Sequence, residues 1–195
     1  MVSAGVHSYV VDLATPDTPT LLMTRVCSEL GVPQILVNSA GVYLAHSLLE
    51  TEITYLDEVY AVNVRAPILL TREMVARNIH AGSAARIVNV ASVSGQIGSP
   101  DAAYGASKGA LIAFTRGAGR AFASSGIRIN AVAPGIVDTD MARVIPEDRI
   151  SSYLSDIPLH RLASPEEVSA AVAFLLSEQA SYLVGTVVDV NGGMS

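Results

Sequence analysis

Residues 92–108, SVSGQIGSPDAAYGASK, hold three side chains that together suggest chemistry: Ser92, Tyr104 and Lys108. The apolar run RIVNV at 86–90 predicts a buried strand just before this stretch, and the Ala- and Gly-rich residues after Tyr104 predict a helix. If Tyr104 lies on that helix, Lys108 lies one turn later on the same face. The stretch therefore predicts a strand–loop–helix unit that brings a phenol, an ammonium and a hydroxyl together.

These three side chains suit the interconversion of a ketone and an alcohol. An ammonium next to a phenol favours the phenolate, so we expect Lys108 to lower the pKa of Tyr104 from its usual value of about 10. The Ser92 hydroxyl then binds the oxygen to which Tyr104 donates a proton. The plainer alternative is a helix face with a snorkelling lysine, since the Tyr-x-x-x-Lys spacing is common.

The composition predicts one folded domain over 1–195. Half of the residues are hydrophobic and 15% are charged, which allows a sizeable core, and the net charge of −6 argues against a nucleic-acid-binding protein. The single cysteine, Cys27, excludes a disulfide within the chain. No apolar run approaches the ~20 residues of a membrane span, and the first residues lack the pattern of a signal or transit peptide. The four histidines have no ligand spacing, so we expect no metal.

Apolar runs and helical periodicity alternate along the chain. The expected strands cover 6–11, 34–37, 86–90, 127–132 and 183–190, and the expected helices cover 20–30, 56–74, 104–125 and the residues after Ser164, which begins a capping box. We expect the second helix to be broken or kinked near Pro67. Such alternation is typical of an α/β fold with a doubly wound parallel sheet, Rossmann-like, covered by helices on both faces.

Short motifs at the predicted strand ends resemble, in order, those of the short-chain dehydrogenase/reductase family. They are NSAG at 38–41, Asn63 within a helix, Ser92 with Tyr104-x-x-x-Lys108, and Pro134-Gly135 with Thr139. The resemblance implies that Ser92 orients the substrate oxygen, Tyr104 is the general acid/base and Lys108 holds the nicotinamide ribose. It implies that Asn63 holds a water that links Lys108 to solvent; a buried hydrogen bond is the plainer role for Asn63.

The same resemblance implies NADP or NAD as cofactor and gives further positions that would bind it. Asp12 and Leu13 match the pair beside the adenine, and Asn38, Ala40 and Gly41 match the turn at the adenosine ribose. Pro134, Gly135, the Ile136 backbone and Thr139 match the nicotinamide site, together with Tyr104 and Lys108. The plainer alternatives are a turn or cap aspartate at position 12, a tight turn at 38–41 and a strand-ending turn at 134–135.

One expected motif is missing. No Gly-rich phosphate-binding turn follows the first predicted strand, so we expect the family's first β-α-β unit, with its pyrophosphate site, to be absent. The strand at 34–37 would then lack a neighbour and expose an apolar edge. A second hypothesis follows: the chain is a truncated, catalytically inactive family member that acts only as a subunit or is a non-functional fragment.

Residues 87–141 and the ending VDVNGG at 188–193 resemble the branch of 3-oxoacyl-[acyl-carrier-protein] reductases, which includes 17-beta-hydroxysteroid dehydrogenase type 8. The resemblance implies a small ketone or alcohol, or an acyl-carrier-protein-bound substrate; the apolar residues in 136–163 suit an acyl chain or a steroid equally. It also implies a homotetramer or dimer built on the small residues of the Tyr104 helix, which tight packing within the chain would equally require. We expect the cytoplasm or the mitochondrial matrix as compartment.

Overall fold

A four-stranded parallel sheet lies at the centre of the computed structural model, which describes residues 5–195. The strands are β1 (Ile35–Asn38), β2 (Ala85–Val90), β3 (Ile127–Pro134) and β4 (Val187–Val190), and they lie side by side in that order. Residues 1–4, on which the expected absence of a targeting peptide partly depends, lie outside the described residues.

Seven α-helices connect and cover the strands within the described residues. They are α1 (Thr18–Leu30), α2 (Ile53–Tyr60), α3 (Ala66–Ala81), α4 (Ser94–Ile97), α5 (Ala102–Phe122), α6 (Glu147–Asp156) and α7 (Pro165–Leu176). The predicted capping box is present, because the Ser164 hydroxyl accepts from the Glu167 N–H and the Glu167 carboxylate accepts from the Ser164 N–H. None of these helices is long and apolar enough to cross a bilayer.

Alternate residues of the central strands point into two separate cores. Ile87 of β2 and Ile129 of β3 are register partners that pack, fully buried, with residues of α1 and α3. Val88 and Val132 point to the opposite face, where Leu175 of α7 packs on them. Helices therefore cover both faces of the sheet, which confirms the doubly wound parallel fold.

The strand expected at 6–11 is wrong. These residues have no regular secondary structure, and the side chains of Val6 and Val10 are fully exposed. A β-branched run forms a strand only where a neighbouring strand completes its hydrogen bonds, and β1 ends the sheet on this side. Instead, the Tyr9 hydroxyl donates to the Glu29 carboxylate (2.6 Å), which attaches the segment to α1.

The strand expected at 183–190 is shorter than predicted, because β4 begins only at Val187. Gly185 has a φ of +65° and donates its N–H to the Ile129 carbonyl (2.9 Å), so a turn replaces the first half of the strand. Arg86 and Arg128 donate to main-chain carbonyls at the end of α7 and just after it.

The expected break near Pro67 is confirmed, and it takes the form of a π-helical turn over Ala61–Arg65 between α2 and α3. Pro67 has no N–H, so the Asn63 carbonyl lacks the donor that an α-helix would place four residues later. Such turns often occur at functional sites, and this one contains Asn63.

Candidate active site

The carboxyl ends of the strands, with α5 and the loop before α6, surround a cavity of about 910 Å³. Parallel α/β sheets bind ligands at this edge. Eight of the predicted site residues line the cavity: Gly41, Ser92, Tyr104, Lys108, Pro134, Gly135, Ile136 and Thr139. The fold therefore brings together, in one concave site, residues separated by about half of the chain.

Helix α5 carries Tyr104 in its first turn and Lys108 one turn later. Asp101 caps the helix, because its fully buried carboxylate accepts from the Tyr104 N–H (3.0 Å) and from the Tyr55 hydroxyl (2.6 Å). A Cβ on Gly95 of α4 would lie 2.6 Å from the Lys108 main-chain carbon, so only glycine allows α4 to pack this closely on α5. These contacts fix the helix that carries both side chains.

The Lys108 ammonium is buried, with 4% of the residue exposed, and it donates one hydrogen bond, to the Val90 carbonyl (2.8 Å). Burial in an apolar setting disfavours the charged form, and it lowers the pKa of Lys108 to about 8. Because Lys108 lines the cavity and has further N–H donors, it can bind hydroxyl groups of a ligand there.

Burial raises the pKa of Tyr104 to about 12, although a hydrogen bond with Ser92 opposes this shift. The Lys108 nitrogen lies 5.7 Å from the centre of the Tyr104 ring. The expectation that Lys108 lowers the pKa of Tyr104 is therefore wrong for this structure, because removal from water raises that pKa and the only opposing effect comes from Ser92. At neutral pH Tyr104 is a protonated phenol, which is the form that donates a proton.

Ser92 lies two residues beyond β2, where only 7% of it is exposed. Its oxygen accepts from the Ser94 N–H (3.1 Å), which orients the side chain at the start of α4. Val93, the next residue, donates its N–H to the Pro134 carbonyl at the end of β3 (2.9 Å), so the two strand ends hold each other. Ser92 thereby faces the cavity beside Tyr104.

Asn63 does not line the cavity but supports its wall. Its buried amide donates to the Val42 carbonyl (3.0 Å) and to the Ser107 hydroxyl (3.1 Å), and it accepts from the Val42 N–H (2.8 Å). The plainer role, a buried hydrogen-bonding side chain, is thus present. A Cβ on Gly41 would lie 3.5 Å from Asn63 Oδ1 and 3.6 Å from Lys108 Nζ, so the three residues are neighbours.

Four residues that the resemblance assigns to the cofactor do not line the cavity: Asp12, Leu13, Asn38 and Ala40. The Asp12 carboxylate accepts from the Ala14 N–H (2.8 Å) and the Thr15 hydroxyl (3.1 Å), as the turn-cap alternative requires. The amide of Asn38 is buried and donates to Asn89 (2.8 Å). In this structure both side chains serve the fold.

The turn after β3 forms another wall of the cavity. The Gly135 N–H donates to the Val190 carbonyl (3.1 Å), and a Cβ on Gly135 would lie 3.0 Å from the Asn191 Cα. The Ile136 carbonyl accepts from the Ala163 N–H (3.0 Å), and the Thr139 hydroxyl donates only a long bond to the Val137 carbonyl (3.4 Å). The Thr139 hydroxyl is exposed and can turn towards a ligand.

Two residues of the site were not predicted from the sequence. Tyr43 lines the cavity, and its ring meets that of Tyr104 edge-to-face with centroids 4.8 Å apart. No local pattern marks it, since it lies in the irregular loop after β1. Asp101 had a detectable signal, because an aspartate just before an Ala-rich helix is a typical N-cap.

The residues along this cavity fit a nicotinamide and its ribose. Lys108 presents a buried ammonium with unused donors, Gly41 leaves room beside it, and the Pro134–Gly135 turn offers a flat backbone wall. The volume also suits a small organic ligand, since such pockets measure about 300–1,000 Å³. Among the described residues, no group of His, Cys, Asp or Glu is arranged to hold a metal ion.

Comparison with known proteins defines the class. A family model described as enoyl-(acyl carrier protein) reductase matches residues 2–195. The chain belongs to the short-chain dehydrogenase/reductase family, which confirms the resemblance, and it is an oxidoreductase that uses NAD or NADP.

Curated relatives include the 3-oxoacyl-[acyl-carrier-protein] reductases of three bacteria. That of Vibrio harveyi is 37% identical over 167 residues, which cover 85% of this chain and 68% of the relative. That of Pseudomonas aeruginosa is 36% identical over 186 residues (95% and 75%), and that of Escherichia coli is 33% identical over 185 residues (94% and 75%).

Solved structures include two of 4-hydroxyisoleucine dehydrogenase. One, complexed with NADH, superposes with a TM-score of 0.87 at 32% identity and covers 95% of this chain and 79% of the neighbour. The other, a mutant complexed with NADH and succinate, has a TM-score of 0.90 at 31% identity, with 95% and 77% covered. Both share the fold with this chain.

Proposed function

We propose that this chain reduces the ketone of a 3-oxoacyl thioester to a secondary alcohol. The observation that carries the proposal is the convergence of Ser92, Tyr104 and Lys108 on one cavity, with Tyr104 protonated at neutral pH. The curated relatives named above are 3-oxoacyl-[acyl-carrier-protein] reductases, which supports this substrate class.

The proposed roles follow from the chemistry of each side chain. The reduced nicotinamide, when bound, supplies the hydride that the ketone carbon receives. Ser92 and Tyr104 donate hydrogen bonds to the ketone oxygen, and Tyr104 then transfers its proton to it. Lys108 binds the nicotinamide ribose through the N–H donors that the protein leaves unused. The Asn63 carbonyl, which lacks an α-helical donor, holds a water through which Tyr104 regains a proton.

The lining of the cavity supports an apolar substrate chain. Met141, Ile145, Val168 and Val172 line it together with Ile97. This lining suits an acyl chain, and a 17-ketosteroid remains the alternative of the same reaction type. The description of the family model suggests a third reaction, the reduction of a carbon–carbon double bond. The hydrogen bond between Ser92 and Tyr104 argues for a ketone instead, because two neighbouring hydroxyl groups suit the binding of one carbonyl oxygen.

The remaining expectations are proposals of the same kind. A single NAD(P)-binding unit over 1–195 and a compartment that is cytoplasmic or the mitochondrial matrix both suit a reductase of acyl-carrier-protein-bound substrates. A dimer or homotetramer is supported by exposed small residues on one side of α5: Ala102, Ala106, Ala113 and Gly117.

The experiment is a titration of the purified chain with NADH and with NADPH, followed by the cofactor's fluorescence, and then turnover assays. We expect saturable binding, consumption of NAD(P)H with acetoacetyl thioester, and none with crotonyl thioester. Reduction of crotonyl thioester alone would favour the double bond, and reduction of a 17-ketosteroid alone would favour the steroid. A folded chain that binds neither cofactor would support the second hypothesis, that of an inactive subunit.

A further inference from the structure

A second polar group borders the cavity, and the proposed reaction does not use it. Arg149 and Tyr153 lie one turn apart on the same face of α6, and they face the loop that carries Tyr43. Tyr43 and Tyr153 both line the cavity, and Tyr43 also contacts Tyr104. The guanidinium of Arg149 thus lies among tyrosines at the edge of the candidate active site.

The guanidinium is poorly satisfied by the protein. It donates two long hydrogen bonds, to the Ala45 carbonyl (3.3 Å) and to the Tyr153 hydroxyl (3.2 Å), and it also interacts with the Tyr43 hydroxyl. Its Nε is buried without an acceptor, and no carboxylate of residues 5–195 forms an ion pair with it. Most other arginines with long-range contacts in this chain bind a carboxylate or main-chain carbonyl at shorter distance, as Arg161 does with Glu167 (2.6 Å).

A planar guanidinium with unused donors suits a carboxylate or a phosphate, which it binds through paired hydrogen bonds. The two phenols add donors beside it. The charge of Arg149 acts on Tyr43, since it lowers the pKa of that phenol while burial, the larger effect, raises it. Tyr43 contacts the ring of Tyr104 and interacts with Arg149. An anion bound by Arg149 would therefore be separated from the proton donor Tyr104 by one side chain, that of Tyr43.

We propose that Arg149, with Tyr153 and Tyr43, binds an anionic group of the substrate, either a carboxylate or a phosphate. The inference rests on the proposed function, because it assumes that the same cavity holds the ketone. It makes Arg149 a specificity-determining residue: it selects ketones that carry a negative charge and holds them with the carbonyl at Ser92 and Tyr104.

The test compares three 3-oxo substrates in wild type, Arg149→Met and Arg149→Lys. Acetoacetyl-N-acetylcysteamine has no charge near the ketone, acetoacetate carries a carboxylate, and acetoacetyl-CoA carries phosphates. We expect Arg149→Met to raise KM by about tenfold or more for a charged substrate, since a charge-assisted hydrogen bond is lost. The kcat values, and the KM for the neutral thioester, should change by less than about twofold. Arg149→Lys keeps the charge but not the planar guanidinium, so its KM for a charged substrate should lie between those of wild type and Arg149→Met.

Arg120→Met is the matched control, because Arg120 is an exposed arginine of α5 whose removal changes the net charge equally. Arg120→Met should leave KM and kcat unchanged for all three substrates. If Arg149→Met raises KM only for acetoacetate, the anion is a carboxylate. If it raises KM only for acetoacetyl-CoA, the anion is a phosphate. An equal loss for all three substrates would mean that Arg149 only braces the loop, and no loss would mean that it binds nothing; either result overturns the inference.

If wild type reduces none of the three substrates, the proposed function fails while the anion site is still tested. Calorimetric titration with malonate and with 4′-phosphopantetheine then decides. Binding that is weakened about tenfold in Arg149→Met but not in Arg120→Met supports the site. Equal binding in wild type and Arg149→Met, or no binding to wild type, overturns it.

Discussion

Strand β1 and strand β2 differ in what surrounds them. β2 has a partner on each side, and four of its six residues are buried. In the described part of the chain β1 has a partner on one side only, and one of its four residues is buried. Ser92 follows β2, where its surroundings are fixed by β3 and α5. The loop after β1 contributes Gly41 and Tyr43, but the strand itself leaves Ile35 and Val37 partly exposed.

This difference shows where the chain can hold groups for chemistry. A side chain stays oriented when the backbone beneath it is bonded on both sides and covered by a helix. The proton donor and the lysine lie in such surroundings. The edge at β1 has fewer restraints, so we expect substitutions there to affect association more than catalysis.

The largest effect is expected for Tyr104→Phe, which removes the proton donor from the well-packed end. Loss of general acid catalysis typically costs about 10²–10⁴-fold in rate, so turnover should become undetectable. The affinity for NADH or NADPH should stay nearly the same, because the hydroxyl is aimed at the substrate. Steady-state kinetics and fluorescence titration give the two values; a variant as active as wild type would overturn the assignment.

The next effect concerns the amides beneath the site. Asn89 is fully buried; it accepts from Asn38 Nδ2 (2.8 Å) and donates to Thr115 Oγ1 (2.9 Å). Asn89→Ala leaves the Asn38 amide with only a long bond to Thr71 (3.4 Å) and should lower the free energy of unfolding by about 2–4 kcal/mol. Urea unfolding measures this loss, and a loss below about 1 kcal/mol would mean that the amides are not needed to join β1 to β2.

The buried lysine predicts a pH dependence of stability. The pKa of Lys108 is lowered from 10.5 to about 8 by burial, so between these values the unfolded chain binds more protons than the folded one. Stability from this group therefore rises with pH above about 8, by about 2 kcal/mol near pH 10, and the burial penalty is fully present below pH 8. Tyr104, with its pKa raised from 10.0 to about 12, acts in the opposite sense only above pH 10.

Lys108→Met isolates this contribution. The variant should be more stable than wild type at pH 7, because a buried charge is removed, and the difference should shrink between pH 8 and pH 10. Urea unfolding of both proteins across this range measures it. Lys108→Met should also be inactive. The same substitution would then raise stability and abolish activity. A constant difference across the range would mean that the ammonium is not desolvated.

The smallest effect is expected at the free edge. Ile35 is 51% exposed on β1, so Ile35→Lys should change the free energy of unfolding by less than about 0.5 kcal/mol. A lysine on an edge strand opposes edge-to-edge pairing, so self-association should fall. Light scattering at matched concentrations tests this, with Ile87→Lys in the buried β2 as the contrasting variant that should fail to fold. A large loss of stability in Ile35→Lys would mean that β1 is covered in solution.

The sequence predicted the elements whose signals are local. The four expected helical stretches, four of the five strands, the break near Pro67 and the Ser164 capping box all follow from periodicity and from Pro, Ser and Glu at fixed offsets. It also placed Tyr104 and Lys108 one turn apart, since helical spacing depends only on the number of residues between them.

The failures concern features that depend on distant partners. The apolar run at 6–11 looks like a strand but pairs with no strand of the described residues, 5–195. Asn38 bonds to Asn89, a residue 51 positions away that its own motif does not indicate, and the cofactor contacts expected for Asn38 and Asp12 stay predictions. Tyr43 and Arg149 carry no local pattern and come to the cavity only when their loop and α6 fold over it.

The sequence by itself determined the order of strands and helices, the family and the identity of the candidate catalytic side chains, because these depend on residue type and spacing along the chain. Only the tertiary structure decided the direction of the pKa shifts of Tyr104 and Lys108 and left Arg149 without an ion pair among residues 5–195. Those properties depend on how much water and how many partners surround a group, and packing between segments far apart in sequence sets both.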